Sequence, residues 1–284
     1  EDQYDNEKFA AAATSYAASQ SKAGKNDLGE KATHKLGWAN YRQKKFDEAL
    51  KAFDEQVKNY PKGPLHGDAL FMQGECNFKL GNYDKSLPAL EAALAAGPTS
   101  DTIKVLCRLH GGQSAAQLAE PDWAKAIELI SKIPEEYADS GYADEALYEL
   151  GWASFNLNKQ DDALKYWSEA AAQADGALAA RSRFMLGEVK FAKKDFAGAI
   201  EDDALVVFSF GGENATDDEV KNWQAKANLQ AGQASLVLAG QAADKVKKDD
   251  LIKKAKTYFQ RIVQKYPESN MVEAAQSQLK KLGG

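Results

Sequence analysis

The chain has 284 residues, of which 44% are hydrophobic and 27% are charged, an ordinary globular composition that argues against extended disorder. Its formal net charge of −6 argues against a general nucleic-acid binder, which needs an excess of clustered Lys and Arg to displace counterions. No apolar run approaches the roughly 20 residues that span a bilayer, so no transmembrane segment is predicted. Because the chain begins at Glu1 without Met or a signal peptide, we expect it to be a processed or excised piece of a longer protein.

The N-terminal part of the chain carries a pattern that recurs at intervals near 37 residues. Gly37 is followed nine residues later by Phe46, and the apolar residues around them fall at helical spacing with a short polar break between the two runs. This pattern predicts a pair of antiparallel helices within residues 28–61. Phe9 lies 37 residues before Phe46, so residues 1–24 are predicted to form the second helix of a repeat whose first helix is absent.

The later units keep this pattern with two departures. The third unit has a longer turn between its helices, and the last unit has 23 residues from Gly232 to Ala255 where the first unit has twelve, which predicts either extra helical length or a projecting loop. In chain order the predicted elements are the truncated N-terminal repeat (1–24), the repeat units 28–61, 64–98, 101–138, 141–175, 177–212 and 217–267, and a C-terminal capping helix (269–281).

The first helix of each unit has a stripe of small side chains. When a unit is numbered so that Gly37 is position 8, positions 3, 7 and 10 share one side of the helix and are mostly small and apolar. Glycine at position 8 and alanine at position 20 allow two helix backbones to approach closely. A single helix pair cannot bury both sides of such a helix, so an array of stacked units is expected.

These positions resemble the tetratricopeptide repeat (TPR) family, whose pattern has Gly at 8, Ala at 20, an aromatic residue at 24 and Pro at 32. The resemblance implies an all-α, right-handed superhelical solenoid of about six antiparallel helix pairs. In detail it is closest to the longer-period repeats of bacterial envelope proteins, namely the outer-membrane assembly lipoprotein and the Tol-Pal-associated periplasmic protein. This closer resemblance rests on three junctions, Tyr60-Pro61-Lys62-Gly63, Tyr137-Ala138-Asp139-Ser140 and Tyr266-Pro267-Glu268-Ser269.

Signals for chemistry are sparse. The three histidines, His34, His66 and His110, lie in different units and have no Cys or His at metal-ligand spacing. Phosphate-binding loops and nucleophile motifs are missing. No catalytic residue, metal ligand or cofactor is therefore predicted, and the chain is predicted not to be an enzyme. Asp203 occupies the position of a core aromatic residue, which either a local shift of the helix or a buried acid would explain.

The two cysteines are predicted to be reduced. Cys76 stands at position 10, where the sister repeats carry small buried residues. Cys107 is expected on a neighbouring helix, about two turns away, whereas a disulfide needs Cα atoms within about 7 Å.

Positions 2, 6, 9 and 13 of the first helices point away from the small stripe, and in tetratricopeptide arrays that face lines a concave groove. The groove is predicted to be basic in the first unit and acidic in the fourth, with tryptophans among the charges. Families that bind a C-terminal carboxylate there use Lys at position 5 and Asn at position 9, and both are absent at these positions. The predicted groove residues are Lys31, His34, Lys35, Trp38, Arg42, Glu75, Lys79, Glu145, Tyr148, Glu149, Trp152, Arg181 and Glu188.

The sequence therefore predicts a non-enzymatic scaffold that binds a protein or peptide partner and no nucleic acid, in a periplasmic or otherwise extracytoplasmic bacterial assembly. Two alternatives remain open. The chain could be a structural spacer of a larger repeat protein, or its aromatic groove could stack carbohydrate in a polysaccharide or cell-wall apparatus. The sequence leaves the oligomeric state open.

Overall fold

The computed structural model describes residues 8–97 and 100–283, apart from the side chain of Glu213, and every regular element in this part of the chain is helical. Residues 1–7 of the predicted N-terminal helix and Pro98, the predicted end of the second unit, lie outside the described residues. The helices are α1 (Phe9–Ala23), α2 (Asp27–Arg42), α3 (Phe46–Asn59), α4 (His66–Lys79), α5 (Tyr83–Ala95), α6 (Asp101–Ala116), α7 (Trp123–Ile130), α8 (Lys132–Glu136), α9 (Ala143–Asn156), α10 (Gln160–Gln173), α11 (Gly176–Ala192), α12 (Phe196–Phe208), α13 (Asp218–Gln241), α14 (Lys245–Lys265) and α15 (Val272–Lys281), with a 3-10 turn at Gly212–Asn214.

The chain divides into two compact units, residues 1–153 and 154–284. In the first unit each helix from α1 to α7 packs against the next, and in the second unit each helix from α10 to α15 does the same. Short turns join these neighbours, which makes each pair antiparallel. The predicted fold class, all-α with consecutive helix pairs of the tetratricopeptide type, is confirmed.

The glycine at position 8 makes room for a large side chain from the second helix of the pair. A Cβ atom on Gly37 would lie 2.6 Å from the Cζ atom of Phe53, a separation that real Cβ atoms do not tolerate. Phe53 is fully buried as a result of this close approach. The same relation joins Gly74 to Leu90, Gly112 to Ile130, and Gly232 to Phe259.

The turn between the two helices has a left-handed residue at position 15 in four repeats. Only Gly81 is a glycine there, whereas Lys44 adopts φ 60°, Asn158 adopts φ 59° and Lys194 adopts φ 65°. In each turn the N–H of this residue donates to the carbonyl at position 12, and the next N–H donates to the carbonyl at position 11. These two bonds pair the carbonyls at the end of the first helix.

An aromatic contact spans the same turn. The ring at position 12 packs edge-to-face on the ring at position 17, with centroids 5.3 Å apart for Tyr41 and Phe46 and 5.1 Å apart for Phe191 and Phe196. The recurring aromatics at position 12 thus fix the angle at which the second helix begins.

Two irregular units depart from this geometry for identifiable reasons. In the third unit the second helix is interrupted at Ser131 into α7 and α8, and Pro134 lacks the N–H that would bond to the carbonyl of Ile130. In the last unit the additional residues extend both helices, because α13 has 24 residues and α14 has 21. The sequence alone allowed either a loop or longer helices here.

Asp203 is a buried acid. Its side chain is fully buried, and its Oδ1 would lie 3.1 Å from a Cβ atom on Gly187, so it occupies the place that Phe53 has against Gly37. Within the described residues neither carboxylate oxygen has a hydrogen-bond partner. Burial, together with the charges of Glu188 and Asp202, raises the pKa of Asp203 well above its usual value.

Cys76 and Cys107 are both fully buried in one apolar cluster of the first unit, and they are not bridged. Burial, followed by the nearby charge of Glu75, raises the pKa of each thiol to about 12. Neither cysteine therefore has thiolate character at neutral pH.

The contact between Gly37 and Phe53 can be tested by adding one methyl group. Gly37→Ala should lower the free energy of unfolding by about 1–3 kcal/mol, because the new Cβ overlaps the Phe53 ring and the packed core cannot yield. Gly67→Ala is the matched control on α4, since its Cβ would meet only the Cβ of Ala96 at 3.5 Å. Urea unfolding of both variants measures the difference, and equal effects would contradict this explanation of position 8.

The left-handed conformation of Lys44 should cost the folded state stability. Lys44→Gly should raise the free energy of unfolding by about 0.5–1 kcal/mol. Glycine removes the steric cost of φ 60°, and this gain exceeds the extra backbone entropy that glycine loses on folding. Lys51→Gly on the exposed side of α3 should have the opposite sign and cost about 1 kcal/mol. Calorimetric melting of the two variants decides between these signs.

Asp203 should make the stability of the second unit depend on pH. Since its folded pKa lies above the unfolded value, the native state holds an extra proton, and stability should fall as pH rises from about 4 toward the raised folded value. Asp203→Asn should remove this fall, whereas Glu201→Gln, an exposed change on the same helix, should keep it. Urea unfolding of the three proteins at pH 5 and pH 8 measures the effect, and parallel pH profiles would refute the assignment.

Candidate functional site

Cross-helix polar contacts join the first helices of three successive repeats in the first unit. His110 Nδ1 on α6 pairs with Glu75 Oε1 on α4 at 2.5 Å. The amide of Gln113 on α6 donates to Glu145 at 3.1 Å and to Glu149 at 3.2 Å, both on α9. The faces of α4, α6 and α9 that turn away from the small stripe therefore form one continuous surface.

A cavity of 410 Å³ opens on this surface. Four of its lining side chains are aromatic, and two amides and a carboxylate provide its polar groups. Trp152 is 37% exposed, which is unusual for so large an apolar side chain. We call this cavity the aromatic pocket; it is lined by Phe78, Tyr83, Gln113, Ala116, Gln117, Tyr148, Glu149 and Trp152.

Neighbouring side chains hold the Phe78 wall of the aromatic pocket in place. The Phe78 ring stacks on His110 with centroids 4.5 Å apart and an interplanar angle of 10°, and it meets Tyr83 edge-to-face at 5.8 Å. The ammonium group of Lys79 lies 5.5 Å from the centroid of the same ring. Because His110 is itself paired with Glu75, this wall is fixed both by stacking and by a side-chain hydrogen bond.

Among the predicted groove residues on α2, two cations are exposed, whereas His34 and Trp38 are hydrogen-bonded to each other. Lys31 and Arg42 are exposed, and the Arg42 guanidinium lies 5.4 Å from the centroid of the Phe9 ring. His34 is buried, with Nδ1 3.1 Å from Gln56 Oε1, and Trp38 donates its indole N–H to His34 Nε2 at 3.1 Å. Burial lowers the pKa of His34, so the ring is neutral at pH 7 and accepts that bond.

Trp38 and Trp152 therefore have different environments, although both stand at position 9. Trp38 is half-buried and packs against the apolar cluster that contains Phe53 and Cys76. Trp152 lines the open aromatic pocket. Lys35, also on α2, is partly buried.

The structure brings Glu145, Tyr148, Glu149 and Trp152 together at the aromatic pocket, with Lys79 beside its Phe78 wall. The residues predicted on α2 do not line this pocket. In the second unit, Glu188 on α11 accepts a hydrogen bond from Gln230, and Arg181 on the same helix is partly buried.

Sequence reasoning missed the contribution of the third repeat. His110, Gln113 and Gln117 occupy positions 6, 9 and 13 when Gly112 is taken as position 8, so the spacing used for the other repeats would have found them. The longer turn after α6 made this repeat look irregular, although its first helix is regular. Phe78 and Tyr83, which contact each other across the turn that follows α4, also line the pocket.

Among residues 8–97 and 100–283 there is no group of three or more His, Cys, Asp or Glu side chains arranged to hold a metal ion. In the same part of the chain, none of the helices combines the length and the apolar character that a membrane crossing requires.

Comparisons with known proteins agree with the repeat geometry. A tetratricopeptide repeat profile matches residues 1–64, 34–101 and 148–212, and a second tetratricopeptide repeat profile matches residues 224–269. A comparison with curated protein sequences finds no match.

Several solved structures share the fold. The C-terminal part of a TPR repeat-containing protein from Cytophaga hutchinsonii has a TM-score of 0.63 at 14% identity, over 96% of this chain and 96% of that chain. A tetratricopeptide repeat protein from Parabacteroides merdae has a TM-score of 0.56 at 18% identity, over 89% and 94% of the two chains. The apo form of RapI has a TM-score of 0.59 at 12% identity, over 83% and 76%.

At these identities the structural matches describe the fold alone. The family profile, in contrast, covers more than half of the chain and falls on the glycine-centred helix pairs described above. The chain belongs to the tetratricopeptide repeat family.

Proposed function

We propose that the chain is a scaffold that binds an extended segment of a partner protein on the first-helix face of residues 1–153. The tetratricopeptide fold suggests a protein-interaction role, and proteins of this family are generally non-catalytic. The observation that carries the proposal is the aromatic pocket, where Tyr148 and Trp152 meet Gln113, Gln117 and Glu149 in one opening. Exposed aromatic side chains with a few polar groups around them are typical of protein-binding surfaces.

The charges on this face indicate the character of the partner. Glu149 borders the aromatic pocket and Glu145 shares its Gln113 donor, so a Lys or Arg of the partner would be favoured there. Such a cation could also lie against the faces of the pocket rings. Lys31 and Arg42 on α2 are exposed cations of the same unit, and they favour acidic groups elsewhere in the bound segment.

Carbohydrate binding is a second candidate, favoured by one feature of the pocket. Tyr148 and Trp152 offer flat aromatic faces beside the amides of Gln113 and Gln117, and such a combination can also stack and hydrogen-bond a sugar ring. A pure spacer role would leave this pocket without a ligand. Binding of peptides, binding of oligosaccharides, and binding of neither distinguish the three possibilities.

We also propose that the protein acts in a bacterial cell envelope, on the periplasmic or another extracytoplasmic side. The support is the resemblance of its repeat junctions, such as Tyr266-Pro267, to those of envelope repeat proteins. Protease accessibility of the tagged protein in spheroplasts of its source cell tests this location, because a periplasmic protein is digested while cytoplasmic markers stay intact.

Trp152 should contribute to binding but little to folding. Peptides selected from a random displayed library on the wild-type protein should be enriched in Lys or Arg next to an apolar residue. Trp152→Ala should weaken their binding about tenfold or more, a loss of about 1.4 kcal/mol, because an aromatic anchor is removed from the pocket. Isothermal titration calorimetry measures the affinity, and calorimetric melting should show a nearly unchanged Tm.

Trp38→Ala is the comparison variant and should behave differently. It removes a hydrogen bond to His34 and packing against a buried cluster, so its Tm should fall by several degrees. The peptide proposal fails if no peptide is enriched or if Trp152→Ala binds the selected peptides as tightly as the wild type. Binding of soluble oligosaccharides that is lost in Trp152→Ala would favour the carbohydrate candidate, and the absence of both ligands would favour the spacer.

A further inference from the structure

The second unit contains a helix whose charge is opposite to that of the whole chain. The 21 residues of α14 include eight Lys or Arg and two Asp, whereas the chain has a formal net charge of −6. The N-terminal part of α14 belongs to the lengthened helix pair, and residues 243–250 are all exposed. Val246 in this stretch is 69% exposed. Packing therefore does not explain why the N-terminal part of α14 carries so many cations.

A cleft of 440 Å³ lies between the end of α12 and the middle of α14. Phe208 on one side of the cleft is 58% exposed, and Leu205, one turn earlier on α12, is 46% exposed. Two neighbouring large apolar side chains are thus open to solvent on one helix face, which is uncommon on a surface without a partner. We call this site the basic cleft; it is lined by Phe208, Asp250, Lys253, Lys254, Thr257, Tyr258 and Arg261.

Two lysines of the basic cleft are available to a ligand. Lys253 and Lys254 are exposed, and neither forms an ion pair within the described residues. The guanidinium carbon of Arg261 lies 4.6 Å from the centroid of the Phe208 ring, so the apolar wall and the positive charge are adjacent. The cleft offers charge-assisted donors for carboxylates on one side and an aromatic ring for an apolar side chain on the other.

We propose that the basic cleft binds an acidic segment of a partner protein in which an apolar side chain lies among the carboxylates. The proposal goes beyond the aromatic pocket of the first unit and does not depend on it. The complementary charge supplies attraction and orientation, while the apolar residue covers Phe208 and Leu205.

The cleft suits a protein segment better than a nucleic acid or an anionic lipid surface. Asp249 and Asp250 stand between the lysines of α14, so a continuous row of phosphates would meet carboxylates at this point. The exposed Phe208 and Leu205 also favour an apolar partner, which the phosphate backbone of a nucleic acid does not provide. An acidic peptide can avoid the two aspartates by placing an uncharged residue opposite them.

The test uses the full chain and a short fluorescein-labelled peptide in which glutamates flank a Leu-Phe pair. Fluorescence anisotropy at physiological salt should give saturable binding. The double variant Lys253→Glu with Lys254→Glu should weaken it about tenfold or more, because two attractive charges become repulsive. Phe208→Ser should also weaken binding, and a peptide with Ser-Ser in place of Leu-Phe should bind less tightly to the wild type.

The matched control reverses two exposed cations on α15, Lys280 and Lys281, to Glu, which changes the net charge by the same amount. This control and Trp152→Ala should both keep wild-type affinity for the acidic peptide, so the result is independent of the aromatic pocket. Circular-dichroism melting checks that each variant is folded, and Lys253→Gln with Lys254→Gln provides a milder change at the same positions.

Four results would overturn the proposal. One is the absence of saturable peptide binding, and another is equal weakening by the α15 control. The third is tighter binding of a DNA duplex or of phosphatidylserine vesicles than of the peptide at the same salt concentration, which would assign the cleft to a phosphate-bearing surface. Concentration-dependent self-association of the wild type that is lost in Lys253→Glu with Lys254→Glu would likewise replace the acidic partner with a second copy of the chain.

Discussion

The contact between the glycine at position 8 and the side chain at position 24 sets the distance between the two helices of a repeat. Gly37 and Phe53 illustrate it, since any Cβ on the glycine would enter the ring. Once this contact is made, the small stripe of the first helix must face packed neighbours, because only small residues fit so close to another backbone. The opposite face of the first helix takes no part in this contact. The aromatic pocket lies on that face, so its position follows from the side of the helix that the glycine contact commits to the core.

The same constraint explains why Asp203 is buried. The helix pair around Gly187 keeps the spacing of its sister repeats, so the residue at position 24 enters the core whatever its chemistry. Asp203 therefore loses its hydration without gaining a hydrogen bond from the described residues, and its raised pKa follows from that loss. A shift of the helix would have exposed Asp203 to solvent, but it would also have left a gap beside Gly187. The protein keeps the packing geometry and tolerates in its core an acid whose pKa is raised by burial.

The fold could be predicted from the sequence because the helical period, the glycine spacing and the repeat length are all distances between residues along the chain. The left-handed residues Lys44 and Lys194 could not be predicted in this way, since the turn imposes a conformation that lysine does not prefer. The tertiary context also decided the difference between Trp38 and Trp152. Both have the same repeat position, but only Trp38 has a buried histidine, His34, one turn earlier to accept its indole N–H.

The candidate site was only partly visible in the sequence for a related reason. Repeat spacing identifies which face of a helix is free, but a pocket also needs side chains from adjacent helices to converge. Gln113 does this by donating to both Glu145 and Glu149, a contact between residues 32 and 36 positions apart. In the last repeat the opposite situation holds, because α13 and α14 extend beyond the residues needed for pairing. Residues 243–250 in the N-terminal part of α14 are all exposed, whereas Ala255 and Phe259 further along the same helix are buried. The exposed cations of α14 therefore lie on the part of the helix surface that the pairing leaves open, and in the middle of the helix they meet Phe208 from the end of α12.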